Sequence, residues 1–157
     1  MTAEPGVVVR GAAPDDVPEL IGLVRDHAAF ERAAPPHPQL GIRLPGLLFG
    51  PAPRLRAFVA ATPDGLVGYA TASREVQTWQ ATDFVHLDCL FVAATHRGSG
   101  TGRLLLGAVV DFARSEGVAE VQWQTPQWNT DAARFYDRQG ATSSLKFRYS
   151  LPVTVTL

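Results

Sequence analysis

The chain has 157 residues and a mass of 16.9 kDa, the usual size of one folded domain. Hydrophobic residues make up 46% of it and charged residues 18%, which is typical of a globular protein rather than a disordered one. The 14 basic and 15 acidic side chains nearly cancel, which argues against a broadly basic protein that binds nucleic acid. We therefore expect a single domain over residues 1–157.

Other classes of protein are disfavoured by particular residues. The single cysteine, Cys89, excludes an internal disulfide and a multi-cysteine zinc site, and the four histidines show no metal-ligand spacing, so we expect no metal. The longest apolar run, residues 104–110, is far shorter than the ~20 residues that cross a bilayer. Residues 1–10 lack the basic and then apolar pattern of a signal peptide. We expect a cytoplasmic protein with no membrane partner.

The N-terminal third predicts one helix followed by an irregular segment. Asp16 and Glu19 stand three positions apart, like a capping box, ahead of an apolar stripe at helical spacing that ends at Phe30. The following segment, residues 33–54, carries six of the twelve prolines, and proline lacks an N–H donor. We expect a lid or binding loop there, with at most a short or irregular helix over residues 40–49.

The rest of the chain predicts five strands and two further helices. The strands are expected over residues 55–61, 66–73, 84–92, 118–125 and 146–151, and the helices over 104–117 and 129–139. Asn129 is the expected N-cap of the last helix. This order predicts a mixed sheet with helices packed on it.

The most informative segment is Arg97-Gly98-Ser99-Gly100-Thr101-Gly102-Arg103, between a predicted strand and a predicted helix. Glycines let the backbone approach a ligand closely, and a helix N-terminus adds about half a positive charge. The segment therefore predicts a cradle for a diphosphate, which Arg97 and Arg103 could supplement. It lacks the lysine of a P-loop, and its G-x-G-x-G spacing is not the G-x-G-x-x-G of a Rossmann fold. A flexible glycine-rich turn is the alternative.

Arg97-x-x-Gly100-x-Gly102 resembles the R/Q-x-x-G-x-G/A motif of the GCN5-related N-acetyltransferases (GNAT), which bind the pyrophosphate of acetyl-CoA. Within that superfamily the chain is most similar to the diamine (spermidine/spermine) and thialysine acetyltransferase branch. The segments that carry this are Phe30-Glu31, Leu87–Val92, Trp128-Asn129, Phe135-Tyr136 and Gly140-Ala141. The resemblance implies an α/β GNAT fold with a mixed, mostly antiparallel central sheet flanked by helices. It also implies a homodimer, acetyl-CoA as co-substrate and a small-molecule amine as acceptor.

The resemblance assigns the two catalytic roles that acetyl transfer requires. Only a neutral amine can attack a thioester, and a carboxylate can attract the amine and accept its proton. The resemblance gives this role to Asp88, where diamine members usually have glutamate, so a water could bridge the gap. It makes Tyr136 the acid that protonates the departing thiolate. The alternatives are an Asp88 paired with an arginine at the rim and a Tyr136 that merely packs beside Phe135.

The resemblance also assigns the binding residues. Glu31, which follows Phe30, corresponds to the acidic residue that holds the far end of a polyamine in this family, and both residues are expected to bind the acceptor. Gln122, Trp123 and Gln124 fall where the family lines its acceptor tunnel, and their lack of charge suggests a shorter or less cationic amine. For the coenzyme, the resemblance implies three groups of residues. Beside the pantetheine lie Leu90, Phe91 and Val92, and around the pyrophosphate lie Arg97, Gly98, Ser99, Gly100, Thr101, Gly102 and Arg103. The third group is on the last helix and its N-cap: Asn129, Thr130, Asp131, Ala132 and Tyr136.

Two residues near Asp88 in the sequence are of types that could take part in the chemistry. Cys89 could be a nucleophile, but an apolar strand more often holds a structural cysteine. His86 lies two residues before Asp88, on the same strand face, and could relay a proton. The alternative functions are a GNAT enzyme acting on an amino acid, an antibiotic or a protein N-terminus, and a non-catalytic acyl-CoA-binding module.

Overall fold

The computed structural model describes residues 6–154, which divide after Gln124 into two compact units. The first unit holds a five-stranded sheet and three helices, and the second holds one helix. The strands are β1 (Val8–Gly11), β2 (Arg56–Thr62), β3 (Gly65–Gln77), β4 (Thr82–Val92) and β5 (Val121–Gln122). The helices are α1 (Val17–Phe30), α2 (Leu40–Phe49), α3 (Thr101–Ser115) and, in the second unit, α4 (Thr130–Arg138).

The sheet has the order β1-β2-β3-β4-β5. The first four strands pair antiparallel, whereas β5 runs parallel to β4, so the predicted mixed, mostly antiparallel sheet is confirmed. The strand expected over residues 118–125 is reduced to two residues. The N–H group of Val118 instead bonds the carbonyl of Ala113 at 2.9 Å, so the start of the expected strand closes α3 rather than extending the sheet.

Helices cover the two faces of the sheet, as expected. Leu20 and Leu23 of α1 form a buried cluster with Tyr69 and Phe91 of the sheet. On the opposite face, α3 approaches β3 at Gly68, where an added Cβ would lie 3.2 Å from Leu105 Cδ1 and 2.8 Å from the carbonyl oxygen of Phe91. The approach to the Phe91 carbonyl is closer than a Cβ tolerates, so this position requires glycine, and the absent side chain leaves room for Leu105 of α3.

The start of α1 differs from the predicted capping box. Asp16 makes no bond to the amides of α1; it accepts two bonds from Arg10, at 2.6 and 2.8 Å, and one from the Ala13 N–H group at 2.7 Å. Glu19 accepts a bond from the N–H group of Leu66 at 2.7 Å. These carboxylates tie α1 to β1 and β3, and sequence spacing could not show this because β1 was not predicted.

Residues 40–49 form a regular helix rather than the short or irregular one expected, despite Pro45 inside it. The role of residues 33–54 as a lid or binding segment stays a prediction. Leu44 and Leu48 are buried in the cluster that α1 shares with the sheet. Gly41 brings α2 close to α1, since an added Cβ would lie 3.2 Å from Ile21 Cδ1. Apolar burial therefore offsets the hydrogen bond that proline removes.

In the second unit, the predicted N-cap of α4 is confirmed, because Asn129 Oδ1 accepts a bond from the Ala132 N–H group at 3.2 Å. The predicted strand over residues 146–151 is wrong: the described residues after α4 form no ladder. Its alternating apolar side chains lie exposed instead, Phe147 at 88% and Tyr149 at 89%. None of the helices within residues 6–154 has the length and apolarity that a membrane span requires.

Candidate active site

The glycine loop has the backbone shape that an anion cradle requires. It follows a short helical turn at Ala94–His96 and leads into α3. Gly98 and Gly100 have φ angles of +77° and +87°, in the left-handed region that favours glycine. Leu104 donates to the carbonyl of Gly100 at 3.2 Å, so the N–H groups earlier in this first turn have no partner inside the helix. The predicted cradle is therefore supported by geometry.

Arg97 points away from this cradle. Its guanidinium carbon lies 4.3 Å from the ring centroid of Phe30 and 5.4 Å from that of Phe91. Its Nε donates to the carbonyl of Val92 at 2.8 Å. Arg97 thus links the end of α1 to the end of β4, and the exposed Arg103 is the cation on the first turn of α3.

The edge of β4 next to β5 is open beyond His86. Among the described residues, β5 pairs with β4 only at Val85 and His86. Ala93 donates to the carbonyl of Val67, on the β3 side, at 2.9 Å. Because successive strand residues direct their backbone groups to opposite edges, Phe91 faces β3, whereas Leu90 and Val92 face the open edge. Of the three residues expected beside the pantetheine, these two have backbone groups available in the right direction.

Asp88 stands on a β-bulge at the start of this open edge. Thr71 pairs with Cys89 and Ala72 pairs with Leu87, so Asp88 is an extra residue in β4. A bulge re-aims side chains, and that of Asp88 is 57% exposed, which avoids the cost of burying a carboxylate in an apolar strand. Its Oδ1 lies 3.8 Å from His86 Nε2, which confirms that these two side chains share a face.

A buried polar cluster that the sequence did not predict lies between α1 and the sheet. His27 Nδ1 is 2.8 Å from the hydroxyl of Tyr69, and His27 Nε2 is 3.3 Å from Glu31 Oε1. The Cys89 thiol donates to Asp88 Oδ2 at 3.7 Å. The hydroxyl of Thr71 is buried without a hydrogen-bond partner. Two spacings in the sequence could have indicated this cluster. His27 and Glu31 are four residues apart on a helix, and Tyr69 and Thr71 are two apart on a strand, so each pair lies on one face.

Burial controls the ionisation of this cluster. Burial lowers the pKa of His27, an effect that the negative charges of Glu31 and Asp88 oppose. Burial also raises the pKa of Tyr69, so its hydroxyl keeps its proton. Burial and the charge of Asp88 raise the pKa of Cys89 to about 11. A thiol with this pKa is protonated at neutral pH, which favours the structural role over the nucleophilic one.

The expected acceptor residues of the first unit lie at the end of α1 and around β5. Phe30 and Glu31 end α1 beside Arg97 and His27. Gln122 pairs with His86 in the sheet and donates to Gln77 Oε1 at 3.4 Å, and Trp123 and Gln124 follow it outside the strand. No group of three or more potential metal ligands forms within residues 6–154.

The remaining predicted residues belong to the second unit, on α4 and its N-cap: Asn129, Thr130, Asp131, Ala132 and Tyr136. The rings of Tyr136 and Phe135 have centroids 5.2 Å apart, the packing that the sequence left open as an alternative. The capping role of Asn129 is confirmed, and the coenzyme contacts of α4 and the acid role of Tyr136 stay predictions.

Comparison with known proteins identifies the family. The chain is 25% identical to the thialysine N-epsilon-acetyltransferase of Caenorhabditis elegans over 136 residues, 79% of this chain and 76% of that protein. It is 35% identical to the streptothricin acetyltransferase of Streptomyces lavendulae over 86 residues, which span 54% of this chain and only 43% of that protein. The solved aminoglycoside N-acetyltransferase AAC(6')-Iy in complex with CoA shares the fold, with a TM-score of 0.79 and 18% identity over 98% of this chain and 99% of that one.

These comparisons confirm the expected fold, the acetyltransferase class and the resemblance to the thialysine branch. The model of the acetyltransferase (GNAT) family matches residues 23–141, most of the chain. The chain therefore belongs to the GNAT family of acetyltransferases.

Proposed function

We propose that this protein transfers the acetyl group of acetyl-CoA to the primary amine of a small molecule by direct attack in a ternary complex. The observation that carries the proposal is the exposed Asp88 carboxylate on its bulge, at one end of the open edge of β4. The glycine loop follows the other end of that edge. A carboxylate for the amine and an anion cradle are thus joined by strand backbone that can bind the acyl carrier between them.

The coenzyme is held by main-chain groups. The N–H groups of residues 98–103 bind its pyrophosphate, with the charge of Arg103 added on the first turn of α3. Backbone groups of Leu90 and Val92 pair with the pantetheine arm, although the Val92 carbonyl is already bonded to Arg97. Asn129 to Ala132 contribute further contacts, as the family resemblance implies. Acetyl-CoA supplies the activated acetyl group, and no metal is needed for the transfer.

Asp88 prepares the amine. With a lysine-like pKa near 10.4, only about one amine in 2,500 is neutral at pH 7. The Asp88 carboxylate attracts the ammonium ion and accepts its proton, directly or through a water. Because this carboxylate is exposed, the proton can pass on to solvent. The Tyr136 hydroxyl protonates the departing thiolate, the role that the resemblance gives to this residue.

The acceptor that we favour is an amine at the end of an alkyl chain that carries a second cationic group. The similarity to thialysine acetyltransferases supports this class. Within the first unit, Phe30 offers a partly exposed ring and Glu31 a second carboxylate, which suit the chain and its second charge. The shorter match to streptothricin acetyltransferase supports a second candidate, the amine of an antibiotic.

Release of free CoA thiol tests this proposal. The panel consists of thialysine, lysine, ornithine, spermidine, streptothricin and an aminoglycoside, each with acetyl-CoA at saturation. We expect turnover with the lysine-type amines and a loss of at least tenfold in Tyr136→Phe. If acetyl-CoA binds but no amine releases thiol, the non-catalytic acyl-CoA-binding module is the better description.

The family resemblance also supports a homodimer. The exposed apolar row of the second unit, Leu145, Phe147, Tyr149, Leu151 and Val153, supports self-association independently, because such rows are rare on monomer surfaces.

A further inference from the structure

His27 contacts one carboxylate of the proposed acceptor site and is influenced by the charge of the other, yet the proposed reaction does not use it. Its Nε2 lies 3.3 Å from Glu31 Oε1, and its side chain is only 12% exposed. The negative charges of both Glu31 and Asp88 act on its ring. A histidine in this position needs an explanation beyond packing, because a leucine would fill an apolar core without needing polar partners.

The tautomer of His27 follows from its two partners. A Glu31 carboxylate can only accept a hydrogen bond, so the Nε2 atom of a neutral His27 must carry the proton. Nδ1 is then an acceptor, and the Tyr69 hydroxyl, 2.8 Å away and fully buried, must donate to it. Burial lowers the pKa of His27 and so favours the neutral ring. Glu31 therefore selects the Nε2–H tautomer, and the Tyr69 hydroxyl holds the ring by donating to its other nitrogen.

The surroundings of His27 keep the ring in place. Phe91 of β4 stacks on it, with centroids 5.1 Å apart and planes at 22°. The ionisable groups that face it are Glu31 on its own helix, Tyr69 on β3, Asp88 on β4 and Arg97 after β4. The Nε2–H group is thereby aimed at Glu31 by the partner on its other side and by the ring stacked on its face.

We propose that His27 is a positioning residue of the acceptor site: its Nε2–H group, held by Tyr69 through Nδ1, fixes the Glu31 carboxylate to receive the second cation of the acceptor. This inference rests on the proposed function and deepens it. It makes the geometry of Glu31 depend on two residues that do not themselves touch the acceptor, and it predicts that the site selects amines with a second positive charge.

Two substitutions of His27 separate positioning from packing. The amide nitrogen of glutamine falls near the place of Nε2, whereas that of asparagine falls near Nδ1. His27→Gln can therefore still donate to Glu31, and His27→Asn cannot. We expect His27→Asn to raise the KM of a lysine-type amine about tenfold, the size expected for losing a hydrogen bond to a charged group. We expect His27→Gln to raise it no more than about threefold, with kcat and acetyl-CoA affinity near wild type in both.

The double variant with Glu31→Gln provides the control. If His27 acts through Glu31, then His27→Asn adds no further increase in KM when Glu31 is already replaced. An amine with a single charge, such as butylamine, should show no difference between the two His27 variants. Equal increases in KM in the two His27 variants would overturn the proposal and leave His27 a packing residue. So would increases in KM that multiply when His27→Asn is combined with Glu31→Gln.

Nitrogen chemical shifts of His27 provide a readout that does not depend on turnover. In the free enzyme at pH 7.5 we expect the Nε2–H tautomer; Tyr69→Phe should leave it in place, whereas Glu31→Leu, which removes the acceptor at Nε2, should shift the ring toward Nδ1–H donating to the Tyr69 hydroxyl. An Nδ1–H ring in the wild-type protein would overturn the inference even if the enzyme acetylates amines. Failure of every amine in the thiol assay, with the Nε2–H ring observed, would instead count against the proposed function.

Discussion

Asp88 is exposed because it is the one extra residue of β4 at a β-bulge opposite β3. The bulge lies between the pairs Thr71–Cys89 and Ala72–Leu87, and it presents a carboxylate from a strand whose neighbours Val85 and Leu87 are buried. The residue type was evident from the sequence, since an acid in an apolar run is unusual. The bulge was not, because it depends on the register of two strands.

We predict that Asp88→Asn lowers kcat/KM for the amine more strongly at pH 7 than at pH 9. At pH 7 the amine is almost entirely protonated and needs a carboxylate to take its proton, whereas neutral amine is far more abundant at pH 9. Thiol release across this pH range measures the ratio of variant to wild type. A loss of the same size at both pH values would make Asp88 a structural residue.

A substitution of Gly100 tests the cradle. Its φ angle of +87° would cost a side chain about 1–2 kcal/mol, and an aspartate there would add negative charge beside the pyrophosphate. We expect Gly100→Asp to raise the Kd for acetyl-CoA by about 100-fold in calorimetry, the equivalent of about 2.7 kcal/mol. Gly107→Ala on the same helix, where an added Cβ meets nothing within 4 Å, should bind like wild type. Unchanged affinity in Gly100→Asp would contradict the cradle.

At the level of elements, the sequence predicted the helices and strands whose pattern lies within one continuous segment. The hairpin β2–β3, the helices α1, α3 and α4, and the glycine loop each depend on contiguous residues, and each forms close to the expected bounds. The four-residue β1 was missed because an edge strand this short has too few residues to establish a pattern. The cluster of His27 and Tyr69 joins residues 42 positions apart, a distance that no local spacing encodes.

The Arg10–Asp16 pair gives a prediction about the N-terminal elements. Hydrogen bonds from Arg10 and from the Ala13 N–H group lower the pKa of the buried Asp16 carboxyl. Asp16→Asn should reduce the free energy of unfolding by about 1.5–3 kcal/mol at pH 7, the range for a hydrogen bond to a charged group. Denaturant unfolding measures this, with the exposed Asp15→Asn as a matched control that changes little.

The same pair predicts how the difference depends on pH. Because the folded pKa of Asp16 lies below its usual value of 3.8, its stabilisation is present above that pH and is lost as the pH falls through the folded pKa. The gap in stability between wild type and Asp16→Asn should therefore shrink below pH 3.8 and stay constant between pH 5 and 7. A gap that grows with acidity would contradict the pairing.

For the whole molecule, the exposed apolar row after α4 is the feature that the sequence misjudged. A strand was predicted over residues 146–151, within this alternation of apolar and polar residues, but a strand requires a neighbour with which to form a ladder. Sequence alone cannot say whether that neighbour lies in the same chain. A second copy of the chain is the partner that the family resemblance supports.

We predict that the protein in solution has twice the 16.9 kDa mass of one chain. Light scattering during gel filtration measures this mass, and Phe147→Lys should reduce it to that of one chain by placing a charge in the apolar row. Lys146→Ala, which leaves the row intact, should remain a dimer. A wild-type protein that is monomeric at micromolar concentration would contradict the homodimer.

The central claim is that this protein moves an acetyl group directly from CoA to an amine, and product identification by mass spectrometry tests it most directly. Wild-type protein incubated with acetyl-CoA and thialysine should yield acetylated amine and free CoA in equal amounts, with the protein itself unmodified. Bound acetyl-CoA without any acetylated amine, or an acetyl group found on Cys89, would contradict it.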